Sequence, residues 1–141
     1  MPIRARRGAI GLAIAVVLAG CADGDEVGPC AARAGGALVA LDIVGESFTV
    51  WSTNDEFIAE AEALADSGDQ RIPLFNRLID GSDCDPQWSW HVDPSDMAWV
   101  DITIELCDAI PSGIEDNKAY WLDDVDQFCP WSATVDEVDR Q

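Results

Sequence analysis

The sequence predicts a small α+β domain with an antiparallel sheet, two helices and a pair of disulfides. Three observations lead there. Short alternating apolar segments within 37–51 and 88–106 have the period of strands, while stretches after Thr53 and Ser112 carry helical spacing and helix caps. The order strand, helix, strand, helix suits helices laid against one face of an antiparallel sheet. Four cysteines, Cys30, Cys84, Cys107 and Cys129, fall in a segment small enough to gain from cross-links.

The first element precedes the domain. Arg4, Arg6 and Arg7 lead into an apolar run, Ala9 to Ala19, that closes with Leu18-Ala19-Gly20-Cys21. A basic start, a short apolar stretch and small residues before a cut are the parts of a secretory signal. The run is shorter than the roughly 20 apolar residues of a membrane span. The cysteine at the cut fits a bacterial lipobox, so residues 1–20 are expected to be removed and Cys21 to carry lipid, palmitate included. Paired acyl chains hold a protein on a membrane stably. The expected location is the cell envelope, lipid-anchored and extracytoplasmic. Arg6-Arg7 leaves the choice between general and twin-arginine export open.

Cleavage would remove three of the eight basic residues and none of the 27 acids, leaving a net charge of −22 with Lys118 as the sole lysine. Such a surface repels nucleic acid and anionic headgroups, so no nucleic-acid partner is expected. Residues 21–36 are rich in Gly and Ala, lack an apolar period and read as a flexible tether.

Within the domain, assigned to 37–135, Ala37–Val44 reads as a strand with Val39, Leu41 and Ile43 on one face. Gly45-Glu46 supplies a tight turn, and Ser47–Trp51 returns with Phe48 and Val50. Thr53 with Glu56 forms a capping box; Phe57, Ala61, Leu64 and Ala65 share a helix face, and Gly68 is placed for a C-terminal cap. Residues 70–87, punctuated by Pro73 and Pro86, read as irregular. Trp88–Val92 and Ala98–Leu106 form a second predicted hairpin around Asp93–Met97, with Val100, Ile102, Ile104 and Leu106 on its apolar face. Ser112 with Glu115 caps a helix to about Asp126, and residues 136–141 read as a polar, frayed tail.

The cysteines allow three pairings. Cys107–Cys129 is preferred because the segment between them folds back on a strand, which leaves Cys30–Cys84. Zinc is disfavoured: no Cys-x-x-Cys occurs and His91 is the only histidine.

Pairing Val92 with Ala98 would set His91 across from Trp99 and Ser89 across from Asp101. His91, Trp99, Asp101 and Glu105 would then share a face able to stack on a sugar and accept its hydroxyls, or to meet a protein. Asp80, Asp83, Asp85, Asp93 and Asp96 crowd the flanking loops and are the candidate calcium ligands, without EF-hand spacing. Gly-x-Ser-x-Gly and Gly-rich phosphate loops are absent, Ser89 and His91 are i and i+2 of one strand, and no catalytic residue is assigned. His91 is expected to make a structural hydrogen bond.

Trp88-Ser-Trp-His91, Asp101-Ile-Thr-Ile-Glu-Leu-Cys-Asp108, Pro111-Ser-Gly-Ile-Glu115, Tyr120-Trp121 and Phe128-Cys-Pro-Trp-Ser132 together resemble the BP-seventy-four N-terminal domain, over about residues 37–135. The Cys-Pro-Trp-Ser close is the most specific part. The resemblance implies an extracytoplasmic domain and brings no catalytic residues with it. The expectation is therefore a lipid-anchored binding or interaction module, not an enzyme, meeting a glycan or protein and needing no cofactor. A calcium-dependent adhesion module and a small cell-envelope hydrolase are the alternatives.

Overall fold

The computed structural model describes residues 29–141; the signal segment and the lipidation candidate Cys21 lie outside the described residues. Strand β1 (Ala37–Ile43) is the centre of a three-stranded antiparallel sheet, between β2 (Glu46–Ser52) and the C-terminal β7 (Ala133–Arg140). Its alternate residues Ala37, Val39, Leu41 and Ile43 are all buried, as period two dictates.

The β1–β2 turn is Val44-Gly45, with φ of 55° and 83°, the primed turn whose twist matches the strands it joins. It lies one residue earlier than the expected Gly45-Glu46. Either register sets Phe48 and Val50 on the face of Leu41 and Ile43, so the apolar pattern does not discriminate. The Asp42 carboxylate does, by accepting the Gly45 N–H at 3.1 Å.

Strand β7 corrects the frayed tail. Residues 137–140 pair with β1, and a bulge at Asp136 sets Glu137 opposite Ala40 while Val135 faces Leu41. The extra residue returns Val138 to the phase of the sheet, and that break in alternation hid the strand from the sequence reading. The expected tether is also shorter than 21–36. Cys30 is bonded to Cys84, and backbone bonds tie Gly35 and Gly36 to Gln141. Gly36 must be glycine there, because a Cβ would lie 2.6 Å from the Trp51 ring.

Helix α1 (Asp55–Ser67) buries Phe57, Ile58, Ala61 and Leu64. Its N-cap is Asn54, whose side chain accepts from the Phe57 N–H at 3.0 Å. Thr53 was the expected cap, but its backbone N–H and its hydroxyl both donate to the Pro94 carbonyl. Gly68 ends the helix at φ 72°, its N–H bonded to the Leu64 carbonyl.

The second hairpin differs most from expectation. Strand β3 (Ile72–Phe75) pairs with β6 (Met97–Val100), and β4 (Leu78–Asp80) pairs with β5 (Trp90–Val92). Asp93–Asp96 does not reverse the chain. It is a bulge of four residues opposite Asn76-Arg77, fixed by the bonds Asn76 N–H to Asp96 O and Asp93 N–H to Arg77 O, both 3.1 Å. Asp93 satisfies its turn chemistry locally, accepting from the N–H and hydroxyl of Ser95. The true partner strands lay in 72–80, where Pro73 and lack of alternation masked them.

The helix expected over 112–126 is broken into α2 (Pro111–Asp116), a single turn at Lys118–Tyr120 and a wider turn at Trp121–Val125 that ends on Asp126 in the left-handed region. Its expected capping box is divided. Glu46 of β2 accepts the N–H and hydroxyl of Ser112, and Glu115 turns instead to Ser89.

Between sheet, hairpin and helix lies an aromatic core. Phe48 stacks on Trp90 at 5.0 Å, Phe57 stacks on Trp99 at 4.8 Å, and Phe75 and Phe128 fill the middle. Both disulfides form as expected, Cys30–Cys84 and Cys107–Cys129, with Cα separations of 5.2 and 5.1 Å. They stand at opposite poles of β1. Cys30–Cys84 packs with Trp51 and Leu38 at the Ala37 end, while Cys129 runs into Ala133 beside Ile43.

Candidate functional site

The expected face of His91, Trp99, Asp101 and Glu105 does not assemble, because β5 and β6 pair with other strands. Trp99 is 9 % exposed, stacks on Phe57 and donates its indole N–H to the Phe57 carbonyl at 3.0 Å. It is a core residue. His91 Nδ1 donates to the Gly81 carbonyl at 2.7 Å, the structural bond expected of it. Asp101 reaches Arg71 at 3.0 Å, and that guanidinium also holds Glu60; these carboxylates raise the Arg71 pKa. Glu105 is exposed at the start of a 3₁₀ turn, Glu105–Cys107.

The five calcium candidates are held by separate protein partners. Asp80 pairs with Lys118 at 2.7 Å, Asp83 with Arg33, Asp85 with the Thr49 N–H, Asp93 with Ser95 and Asp96 with Asn76. The Lys118 hydrogen bond holds the Asp80 carboxyl below its ordinary value, and the Ser95 backbone N–H does the same for Asp93. Among the described residues, the one cluster of three potential metal donors is Cys30, Asp83 and Cys84, and its two sulfurs are bonded to each other.

Sequence reasoning missed two arrangements. In the first, the Ser89 hydroxyl donates to Glu115 at 2.7 Å and accepts from Lys118 at 3.1 Å, with Asp80 holding the same lysine. The cluster fastens the 81–89 loop to α2. No sequence motif marks it, since the four residues come from three separate stretches.

The second is an aliphatic ridge. Strand β6 ends at Val100 because its partner β3 begins at Ile72, directly after the turn out of α1. The next alternate residues, Ile102, Ile104 and Leu106, are 85, 63 and 57 % exposed, and Ile110 follows at the surface. The sequence assigned these to a core-facing strand; the alternation was read correctly, but the partner strand stops short of it. The segment is nonetheless firmly held. Thr103 accepts from the Trp131 indole at 2.6 Å, Asp108 accepts from the Trp131 backbone N–H at 2.9 Å, and Cys107 is bonded to Cys129. Burial of one such aliphatic side chain contributes about 1.5–3 kcal/mol. A pinned segment that leaves three in water forgoes that stabilisation, and contiguous exposed apolar surface marks contact sites.

Val44, 68 % exposed, belongs to the same pole. Its neighbour Glu46 binds Ser112 at the start of α2, next to Ile110. No helix among the described residues is long and apolar enough to cross a membrane.

Fold and site together define a small, disulfide-stabilised α+β domain that presents a clamped aliphatic ridge at one pole. The BP-seventy-four N-terminal domain matches residues 37–141, and the chain belongs to that family. A search of curated proteins and a search of solved structures found no match.

Proposed function

We propose that the chain is an exported, lipid-anchored module that binds another protein through the Ile102–Ile110 ridge. The observation that carries this reading is a cross-linked, hydrogen-bonded loop with its large aliphatic side chains turned to solvent. The lipobox at Leu18–Cys21 and the paired cysteines support the location, since disulfides persist in oxidising compartments. With the indole of Trp99 in the core, the glycan reading loses its stacking platform, and a protein partner is favoured.

The anchor gives the module a direction. Nine residues from Cys21 to the Cys30–Cys84 bond reach at most about 30 Å, so the Ala37 pole would face the membrane. The six steps from Ala37 to Ile43 along β1, about 20 Å at 3.3 Å each, would set the ridge on the far side.

Growth with labelled palmitate tests the anchor: the chain takes up label and a Cys21→Ser variant does not. A photo-crosslinking residue at Ile104, compared with one at Asp66 on α1, tests the contact. Discrete protein adducts from Ile104 alone are expected. Equal adduct patterns at both positions would remove the ridge from the account.

A further inference from the structure

We infer that the surface taken up by this ridge is cationic and apolar together: a basic protein face carrying a furrow for aliphatic side chains. This rests on the proposed role of the ridge and names the chemistry of its partner.

The ridge alternates charge with grease. Asp101, Glu105 and Asp108 interleave with Ile102, Ile104 and Leu106, and residues 101–117 contain no lysine or arginine. Asp101 is offset by Arg71, which it shares with Glu60. A partner must therefore supply positive charge around the furrow, because carboxylates brought against apolar or acidic surface lose hydration without compensation. The same charges argue against two other occupants. A second copy would set these acids against themselves on molecules that each carry −22 after cleavage, and an anionic bilayer would repel them.

An independent observation comes from the turn at the same pole. Val44 sits at φ 55°, a conformation that β-branched residues rarely adopt and that Asn or Gly takes readily. Its side chain is 68 % exposed and relieves nothing in the core. The two-residue turn requires that φ and asparagine or glycine would meet it at less cost, so an aliphatic side chain kept there adds an exposed apolar group at the pole where Glu46 meets Ser112.

Two 14-residue peptides of equal positive charge, one of Lys and Leu and one of Lys and Ser, test the inference by fluorescence anisotropy. The full chain is used as the cell makes it, in maltoside micelles with empty micelles subtracted. The Lys–Leu peptide is expected to bind at least about tenfold tighter, the equivalent of burying one aliphatic side chain. Ile102→Ser with Leu106→Ser should erase that preference. Val44→Asn should weaken Lys–Leu binding while raising the melting temperature, so loss of binding there is not loss of fold. Equal binding of the two peptides, or a preference that survives the ridge variant, overturns the inference, since the acidic coat alone would explain it. Ridge-dependent dimers in sedimentation, or ridge-dependent binding to phosphatidylglycerol vesicles, would overturn it in favour of a second copy or a membrane. If Ile104 crosslinks in cells while the peptides fail, the ridge keeps its role and the partner has other chemistry.

Discussion

Val44 holds a left-handed backbone that costs an ordinary L-residue about 1–2 kcal/mol, with asparagine largely excused. Val44→Asn should therefore stabilise the fold by about 1 kcal/mol, read as a shift in denaturant midpoint at constant slope. Trp99 runs the other way. Its ring is stacked on Phe57 and its N–H is spent on a backbone carbonyl, so Trp99→Ala should cost about 3–5 kcal/mol. Phe at the same position should cost less, because the stack survives. Asp93 gives a pH-dependent term. Bonds from the Ser95 N–H and hydroxyl lower its pKa in the fold. The stabilisation is present above the ordinary Asp value near 4 and is lost as pH falls through the lowered folded value. Asp93→Asn should thus be less stable than the parent at pH 7 and approach it at pH 3. Of these residues, Asp93 lies in the loop the sequence placed at Asp93–Met97, and its carboxylate is spent within that loop on Ser95. The sequence misjudged Trp99, whose orientation depends on which strand lies beside β6.

Pairing between elements was the least legible level. Hydrophobic period located the β1–β2 hairpin, α1 and its Gly68 cap, because each of these is decided within about a dozen residues. Strand partners for 90–100 lie about 10 to 28 residues back, in a stretch where Pro73 interrupts the pattern, and nothing local distinguishes a bulge at Asp93–Asp96 from a reversal. The same limit concealed the ridge: Ile102, Ile104 and Leu106 alternate like a core strand, and only the length of β3 decides that they stay in water. Disulfides were legible because four cysteines leave few choices and loop geometry narrowed them. The Cys107–Cys129 bond closes a separation of 22 residues and pins the ridge to the start of β7. Replacing both cysteines by serine should cost about 3 kcal/mol by the chain-entropy account. It should also raise hydrogen exchange selectively at residues 101–110, since only non-covalent ties then hold that loop: the Trp131 bonds, the Arg71–Asp101 pair and the Cys129 N–H to the Cys107 carbonyl. Uniform loosening of the whole domain would mean that the bond serves the core and not the ridge.

At the scale of the whole molecule, charge dominates. A chain of net charge −19, or −22 were residues 1–20 removed, is pushed apart by its own field, and salt within a Debye length of the surface relieves it. Any added electrolyte should therefore raise the melting temperature at pH 7. This general effect must be separated from specific calcium binding, which a simple titration of calcium chloride would confuse with screening. Asp80, Asp83, Asp85, Asp93 and Asp96 are each engaged by a different protein group, and gathering them around one ion would break the bonds to Lys118, Arg33, Thr49, Ser95 and Asn76. A calcium ion needs six to eight oxygens, so the rearrangement would cost more interactions than a loose surface site returns. Calcium and magnesium at matched ionic strength should accordingly shift the midpoint equally. A ligand of the native state must add its own stabilisation on top of screening. An excess shift with calcium, abolished by Asp83→Asn or Asp93→Asn, would mean that the 80–96 loops do reorganise around an ion, and calcium-dependent adhesion would then displace the ridge as the leading account of this domain.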